Sequence, residues 1–140
     1  MSAQLRDQAR FVSFVGDGFA AFVDAAGDAP YVWRPGPDAV RDARVEYARI
    51  AVEDTNVDLP DDAFASVNEA LGQASGKVLL FCAAGLKRSP HLLYGVLRAR
   101  GHSAAAAWSM VATARPFADR FEPYIVSAER WVAGSGSPRG

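Results

Sequence analysis

Short apolar runs alternate with longer amphipathic stretches along this chain. Two of the runs predict buried strands, at residues 47–52 and 77–82. Between them, Phe64 and Val67 recur at helical spacing and predict a helix over about 61–74. Strands that are separated by helices favour a parallel sheet covered by helices, which places the chain in the α/β class.

The first third of the chain carries a weaker pattern. Residues 11–15 form a β-prone run and predict a strand, whereas residues 19–26 fit a short helix. Residues 31–33 predict another strand, and a helical turn is expected at 38–44.

The last third of the chain is predicted to be helical. One helix begins near Arg88, a second is capped by Ser103, and a third begins at about Pro123. We therefore predict a single α/β domain with a central, mostly parallel sheet flanked by helices and with a helical C-terminal half. The domain is expected to span residues 1–133, and the Gly- and Ser-rich residues 134–140 are expected to form a flexible tail.

Composition narrows the classes of function. Half of the 140 residues are hydrophobic, 22% are charged, and the formal net charge is −1. This balance provides no basic surface, so we expect no nucleic-acid or membrane partner. No apolar run approaches the roughly 20 residues that span a bilayer, and the N-terminal residues lack the apolar core of a signal peptide. The single cysteine fits a reducing compartment, and we expect a cytoplasmic monomer.

The candidate chemistry is concentrated at the end of the strand predicted at 77–82. Cys82, the only cysteine, lies there, and Arg88 follows six positions later, where a helix begins. Unpaired backbone N–H groups at a helix N-terminus and the planar guanidinium of Arg88 together form a cradle for a phosphate dianion. The residues expected to bind the phosphate are Ala83, Ala84, Gly85, Leu86, Lys87 and Arg88.

The same positive potential favours the thiolate form of Cys82, which could then attack phosphorus. The Ser89 hydroxyl could hydrogen-bond the sulfur and stabilise it as a leaving group. A cysteine and an arginine at this spacing are a weak signal alone, because a buried cysteine is most often a small hydrophobic residue. The apolar strand before Cys82 and the Arg-Ser-Pro sequence with a helix after it strengthen the functional interpretation.

The residues around Cys82 resemble the signature sequence of a known family. The dual-specificity branch of the protein tyrosine phosphatases has a signature loop that resembles Phe81-Cys82-Ala83-Ala84-Gly85-Leu86-Lys87-Arg88-Ser89. The resemblance extends over about residues 45–131. It implies a two-step reaction through a phosphocysteine, with no metal or other cofactor. The family usually has a histidine, which helps to order the loop, at the position that Phe81 occupies here.

A proton donor for the leaving oxygen is expected upstream of the loop. Asp54 follows the strand predicted at 47–52, at the sheet edge where ligands of open α/β folds bind. It also lies 28 residues before Cys82, where the resembling family carries its general acid. Asp54 is therefore the predicted acid, with Glu53 as the reserve candidate.

Four other residues carry weaker signals. His91 lies in the first turn of the predicted helix and His102 in a helix–helix turn, and both are expected to be structural or solvated. Trp33 and Arg34 follow the strand predicted at 31–33, so they either reach the rim of the pocket or are ordinary loop residues.

Together these residues predict a cysteine-dependent phosphatase. A short chain without a long insertion predicts a shallow pocket, so the expected substrates are phosphotyrosine, phosphoserine and phosphothreonine in proteins, or small phosphate esters. The alternative is a catalytically weak module that only binds phosphorylated partners, and Phe81 is the residue that favours it. A sulfurtransferase of the rhodanese type, which also has a cysteine in an anion-binding loop, is a remote alternative.

Overall fold

The computed structural model describes residues 2–3, 5–27, 32–50, 52, 55, 57–82 and 87–134. Ten helices and strands lie in this part of the chain. In chain order they are β1 (Ser2–Ala3), α1 (Gln8–Gly16), β2 (Phe19–Asp24), α2 (Pro37–Ala43), β3 (Glu46–Arg49), α3 (Asp61–Gln73), β4 (Lys77–Phe81), α4 (Arg88–Ala99), α5 (Ala104–Ala114) and α6 (Glu122–Gly134).

The four strands form one sheet in the order β1-β4-β2-β3, and each neighbouring pair is parallel. The central pair, β4 and β2, runs from Phe19 opposite Lys77 to Asp24 opposite Phe81, with one register shift between Phe19 and Ala21. All strands therefore end at the same edge of the sheet, where parallel α/β proteins place their ligands. The predicted α/β fold with a parallel sheet and a helical C-terminal half is confirmed.

Each face of the sheet carries its own hydrophobic core. Val23 and Leu80 face helices α3 to α6, while Phe22, Leu79 and Phe81 face α1 and α2. This division follows from the period of a strand, in which successive side chains point to opposite faces. It also places Cys82 on the side of α3 to α6.

The strand predicted at residues 11–15 is wrong, because these residues lie in helix α1. Phe11 and Phe14 are buried and three positions apart, whereas Val12 between them is 57% exposed. Only a helix produces this burial pattern. The Asp7 side chain caps the helix by accepting the Arg10 amide at 2.8 Å. The residues of this run favour a strand by composition, but burial of Phe11 and Phe14 against the sheet stabilises the helix instead.

The helix predicted at residues 19–26 is also wrong, because Phe19–Asp24 forms β2. This strand lies between β4 and β3, with helices on both faces, so its residues are apolar almost without interruption. Periodicity alone does not distinguish such a strand from a buried helix.

Several boundaries also shift. Of the strand predicted at 31–33, Val32 and Trp33 have no regular structure, and Tyr31 lies outside the described residues. The strand predicted at 47–52 is shorter, although the Ile50 amide still donates to Asp24 O at 2.8 Å. The turn predicted at 38–44 is helix α2.

The helix predicted at 61–74 is confirmed as α3, and the three helices predicted after the strand at 77–82 are confirmed as α4, α5 and α6. Ser103 caps α5 as predicted, since its hydroxyl accepts the Ala106 amide at 3.1 Å. Helix α6 continues to Gly134, and the predicted tail beyond it lies outside the described residues. None of the helices in the described part of the chain is long and apolar enough to cross a bilayer.

Candidate active site

The structure brings Cys82 and Ser89 together where β4 ends and α4 begins. Cys82 directly follows β4 and is 4% exposed. Ser89, in the first turn of α4, is fully buried, and its hydroxyl donates to Cys82 Sγ at 3.5 Å. This is the contact that the sequence predicted for Ser89. Residues 83–86, which were predicted to bind phosphate, lie outside the described residues.

Arg88 is buried at the first position of α4, with 7% of its surface exposed. Its Nη1 donates to Val52 O at 3.0 Å. A guanidinium held in this way has a fixed position at a helix N-terminus, where backbone N–H groups add positive potential. Cys82, Arg88 and Ser89 therefore lie together at the C-terminal edge of the sheet.

Gly27 completes the packing around Arg88. Its φ is +67°, and a Cβ added there would lie 2.6 Å from Val52 O and 3.2 Å from Arg88 Nη1. Only glycine combines this left-handed backbone with such a close approach. The segments after β2 and β3 thus meet at the guanidinium of Arg88.

Asp54 and Glu53 lie outside the described residues, whereas Val52 and Leu59 are described. On one side, Val52 is buried and accepts Arg88. On the other, the Leu59 amide donates to the Ser127 hydroxyl of α6 at 3.0 Å. Of the described residues on either side of the predicted acid, Val52 thus contacts Arg88 and Leu59 contacts helix α6.

A buried polar cluster surrounds Asp24 and was not predicted from the sequence. This carboxylate is fully buried at the end of β2 and accepts hydrogen bonds from the Ala26 amide at 3.0 Å, Arg34 Nε at 2.6 Å and the Tyr47 hydroxyl at 2.6 Å. Burial, together with the hydrogen bond to Asp24, raises the pKa of Tyr47 above its usual range. Three donors compensate for the cost of burying the charge of Asp24.

The cluster extends to Arg88 through Gly27. Arg34 Nη2 donates to Gly27 O at 2.6 Å, and Arg49 Nη2 donates to the same oxygen at 3.0 Å. Arg34 thus reaches the residue that packs against Arg88, whereas Trp33 packs on the opposite core, 6.2 Å from the ring of Phe11. The sequence signal for this cluster was Asp24, an acidic residue near the end of an apolar run. Because residues 19–26 were predicted to form a helix, Asp24 was not placed at the end of a strand.

His91 is structural, as predicted. It is fully buried, its Nδ1 lies 2.6 Å from Lys87 O, and its Nε2 accepts the Phe121 amide at 3.0 Å. Since Nε2 accepts, Nδ1 carries the proton and the ring is neutral. Burial lowers the pKa of His91 below its usual range. His102 is partly buried at the end of α4, where its carbonyl accepts Arg98 Nη1 at 2.9 Å.

Phe81, at the position of the family histidine, points away from Cys82. It is fully buried among the aromatic residues on the α1 and α2 side of the sheet, 6.3 Å from the ring of Tyr47. The Phe81 side chain therefore makes no direct contact with the sulfur side of the sheet. It could influence the position of Cys82 only through the backbone and through its packing on Tyr47. Among the described residues, no group of three or more His, Cys, Asp and Glu side chains could hold a metal ion.

Comparisons with known proteins identify similar folds. No family model matches the sequence, and no curated protein is significantly similar to it. The structure of Tk-PTP in its active form has 19% sequence identity and a TM-score of 0.78, covering 94% of this chain and 90% of that chain. Human DUSP28 has 22% identity and a TM-score of 0.70, covering 99% and 92%. The human tyrosine phosphatase-like serine/threonine/tyrosine-interacting protein has 15% identity and a TM-score of 0.73, covering 93% and 87%.

Proposed function

We propose that this chain, which has the fold of the dual-specificity phosphatases, hydrolyses phosphate monoesters through a phosphocysteine intermediate. The observation that carries the proposal is the hydrogen bond from the Ser89 hydroxyl to the sulfur of Cys82, with the buried Arg88 directly before Ser89 at the start of α4. A thiol, a hydroxyl and a fixed cation at one helix N-terminus are suited to phosphoryl transfer.

In the first step, the Cys82 thiolate attacks phosphorus and the bond from phosphorus to the leaving oxygen breaks. Asp54 donates a proton to that oxygen. Arg88 and the backbone amides of residues 83–88 bind the three non-bridging oxygens and stabilise their charge in the transition state. The contact of Arg88 with Val52 O orients the guanidinium before the substrate arrives.

In the second step, water attacks the phosphocysteine and Asp54 accepts its proton. The bond between sulfur and phosphorus breaks, and inorganic phosphate is released. The Ser89 hydroxyl, which already donates to Cys82 Sγ, stabilises the departing thiolate.

The role of Asp54 is supported by the position of Val52. Two residues of extended chain span at most about 7 Å, and Val52 O is 3.0 Å from Arg88 Nη1. Because Asp54 follows Val52 by only two residues in the sequence, we assign the proton donor to Asp54. Glu53 is the reserve candidate for the same step.

The substrates we propose are phosphotyrosine, phosphoserine and phosphothreonine in proteins, or small phosphate esters. The protein would act on them in the cytoplasm as a monomer. The absence of a long insertion in the sequence supports a shallow pocket that accepts all three side chains.

The test is release of phenolate from an aryl phosphate without metal, from about pH 4.5 to pH 8.5. We expect a bell-shaped profile that Cys82→Ser abolishes and whose alkaline limb Asp54→Asn flattens. Asp62→Asn, an exposed acid at the start of α3, is the matched control and should keep the parent profile. An active Cys82→Ser variant would rule out the phosphocysteine.

The second candidate is a module that binds phosphorylated partners without turnover. Phe81 in place of the family histidine favours it, as does the similar fold of a human protein named phosphatase-like. Orthovanadate binding without aryl phosphate turnover would identify this function. Conversion of cyanide in the presence of thiosulfate would identify the remote rhodanese-type alternative.

A further inference from the structure

The cluster around Asp24 takes no part in the two proposed chemical steps. Asp24 is fully buried and accepts hydrogen bonds from Arg34 Nε and from the Tyr47 hydroxyl, both at 2.6 Å. A buried ion pair adds little net stability, because the cost of removing both charges from water offsets their attraction. In some proteins such pairs are retained because they fix one geometry.

The location of Asp24 connects the cluster with the candidate active site. Asp24 is the last residue of β2 and lies opposite Phe81, the residue before Cys82. The next amide along the chain, that of Ala25, donates to Phe81 O at 2.8 Å. The turn that follows Asp24 thus begins beside the strand end that carries Cys82.

Arg34 closes the turn from Asp24 to Gly27. Its Nε donates to the Asp24 carboxylate, and its Nη2 donates to Gly27 O at 2.6 Å. Within the turn, the Ala26 amide donates to the same carboxylate at 3.0 Å. One guanidinium therefore joins the two ends of the turn, since arginine presents its donors in a rigid planar fork that spans two acceptors.

Gly27 in turn lies against the guanidinium of Arg88. A Cβ added to Gly27 would lie 3.2 Å from Arg88 Nη1 and 2.6 Å from Val52 O, the carbonyl that accepts this nitrogen. A displaced Gly27 would therefore press on both the donor and the acceptor of that hydrogen bond. Displacement of a catalytic group by about 1 Å can cost a factor of about 100 in rate.

We infer that Asp24, Tyr47 and Arg34 are positioning residues for Arg88. The ion pair fixes the turn from Asp24 to Gly27, and Gly27 fixes the guanidinium that binds the phosphoryl oxygens. The cluster acts through Gly27 rather than on the substrate. The inference rests on the proposed function, because it assigns the cluster to the arginine that binds the oxyanion.

A second cluster of the same composition provides the control. In the last turn of α4, Arg98 donates to the Glu129 carboxylate and to His102 O, and the Tyr94 hydroxyl donates to Glu129 as well. Arg98 is partly buried, as is Arg34. The candidate active site lies at the opposite end of this helix, so the second cluster has the same chemistry without the contact to the site.

The test is the affinity for orthovanadate, measured by calorimetric titration of the full chain. We expect Arg34→Lys to bind orthovanadate about ten times more weakly than the parent, because lysine keeps the charge but lacks the fork that also holds Gly27 O. Arg98→Lys loses the equivalent fork and should keep the parent affinity. Urea denaturation should show a similar loss of stability in both variants, so that stability does not explain a difference in affinity.

Two milder variants decide the matter if Arg34→Lys does not fold. Tyr47→Phe and Tyr94→Phe each remove a hydroxyl that donates to the carboxylate of its cluster and keep the ring. Tyr47→Phe should weaken orthovanadate binding about threefold, whereas Tyr94→Phe should leave it unchanged. Parent affinity in the variant of the Asp24 cluster, or an equal loss in its control, would overturn the inference.

Failure of the proposed function would look different. If the parent binds orthovanadate without hydrolysing an aryl phosphate and Arg34→Lys weakens that binding, the positioning role is supported and the protein is a binding module. If the parent hydrolyses aryl phosphate and Arg34→Lys keeps its orthovanadate affinity, the phosphatase is supported and the positioning role is not. A parent chain that binds no orthovanadate would overturn both.

Discussion

The guanidinium of Arg88 owes its position to backbone atoms from two distant segments. Val52 O accepts its Nη1, and Gly27, at φ +67°, leaves no room for a Cβ between them. Behind Gly27, Arg34 holds the glycine carbonyl and is itself held by the buried Asp24. The carbonyl and α-carbon of Gly27 thus connect a partly buried ion pair with the arginine of the candidate site.

Gly27→Ala should therefore weaken oxyanion binding. A Cβ at this position would displace Val52 O and shift Arg88, and we expect about a tenfold loss of orthovanadate affinity. Gly18→Ala is the matched control, because Gly18 has φ +93° but no atom near its would-be Cβ. Both variants place alanine at a positive φ, so both introduce backbone strain, but only Gly27→Ala also introduces a clash near Arg88. Calorimetric titration with orthovanadate compares the two. Equal orthovanadate affinities would contradict the proposed coupling between Gly27 and Arg88.

His91 predicts a dependence of stability on pH. Because its pKa is lowered in the folded protein, the unfolded state binds more protons below the usual value of about 6.5. The contribution of His91 is thus fully present above that pH and is lost as the pH falls. We expect the free energy of unfolding to decrease less between about pH 7.5 and pH 5.5 in His91→Gln than in the parent, measured by urea denaturation. His102→Gln is the control and should lose as much unfolding free energy over this pH range as the parent. If the loss in His102→Gln were as small as in His91→Gln, the assignment to His91 would be wrong.

At the level of the elements, α4 is the helix around which the C-terminal half is built. It contacts α3, α5 and α6, and its first turn carries Arg88 and Ser89. Gly95 lets it approach α3, where a Cβ would lie 2.5 Å from the ring of Phe64. That ring in turn stacks on Trp131 of α6 at 5.4 Å.

A polar cluster fixes the far end of the same helix. Arg98 donates to Glu129 of α6 through Nε and Nη2, both at 2.9 Å, and the Tyr94 hydroxyl donates to the same carboxylate. Hydrogen bonds from Arg98 lower the pKa of Glu129, while burial and the nearby carboxylate raise the pKa of Tyr94 to about 12. These contacts hold α4 at a defined angle to α6.

Gly95→Ala should destabilise the protein by about 1–3 kcal/mol, because the added methyl group collides with an aromatic ring in a packed core. Gly72→Ala is the matched control in α3. Its Cβ would meet only the end of the Arg100 side chain, 4.0 Å away, so this change should stabilise the helix by about 0.5–1 kcal/mol. Urea denaturation measures the change in unfolding free energy for both variants, which should be negative for Gly95→Ala and positive for Gly72→Ala. No change in Gly95→Ala would mean that α3 and α4 can move apart to accept the methyl group.

At the scale of the whole molecule, contacts between distant parts of the chain join the site to the helical half. The Ser127 hydroxyl of α6 accepts the buried amide of Leu59, 68 residues away in the chain, and donates to Pro123 O at 3.0 Å. Arg130 Nη2 donates to Leu59 O at 3.1 Å. The segment after Asp54 is thereby anchored on a helix that contributes no residue to the candidate site.

Ser127→Ala should cost about 1–3 kcal/mol of unfolding free energy, because the Leu59 amide would remain buried without a partner. Ser109→Ala, at an exposed position of α5, should change the stability by less than about 0.5 kcal/mol. Thermal denaturation of both variants tests the anchor. If Ser127→Ala were as stable as Ser109→Ala, the hydroxyl would not be the anchor.

The sequence by itself determined the parts of this protein whose signals are local. Cys82, Arg88 and Ser89 are close in the chain, so a strand, a loop and a helix start were enough to predict their meeting. Helices α3 to α6 are long and amphipathic, and Ser103 capped its helix as expected, because a cap is a contact over three residues.

Only the tertiary structure decided the first third of the chain and the surroundings of Arg88. Residues 11–15 and 19–26 are short apolar runs whose secondary structure depends on what covers them, and the sheet made one a helix and the other a strand. The contacts of Arg88 with Val52 and Gly27, and of Asp24 with Arg34 and Tyr47, join segments that are far apart in the chain. Such contacts exist only after the strands have paired, because strand pairing is what brings the ends of β2, β3 and β4 to one edge.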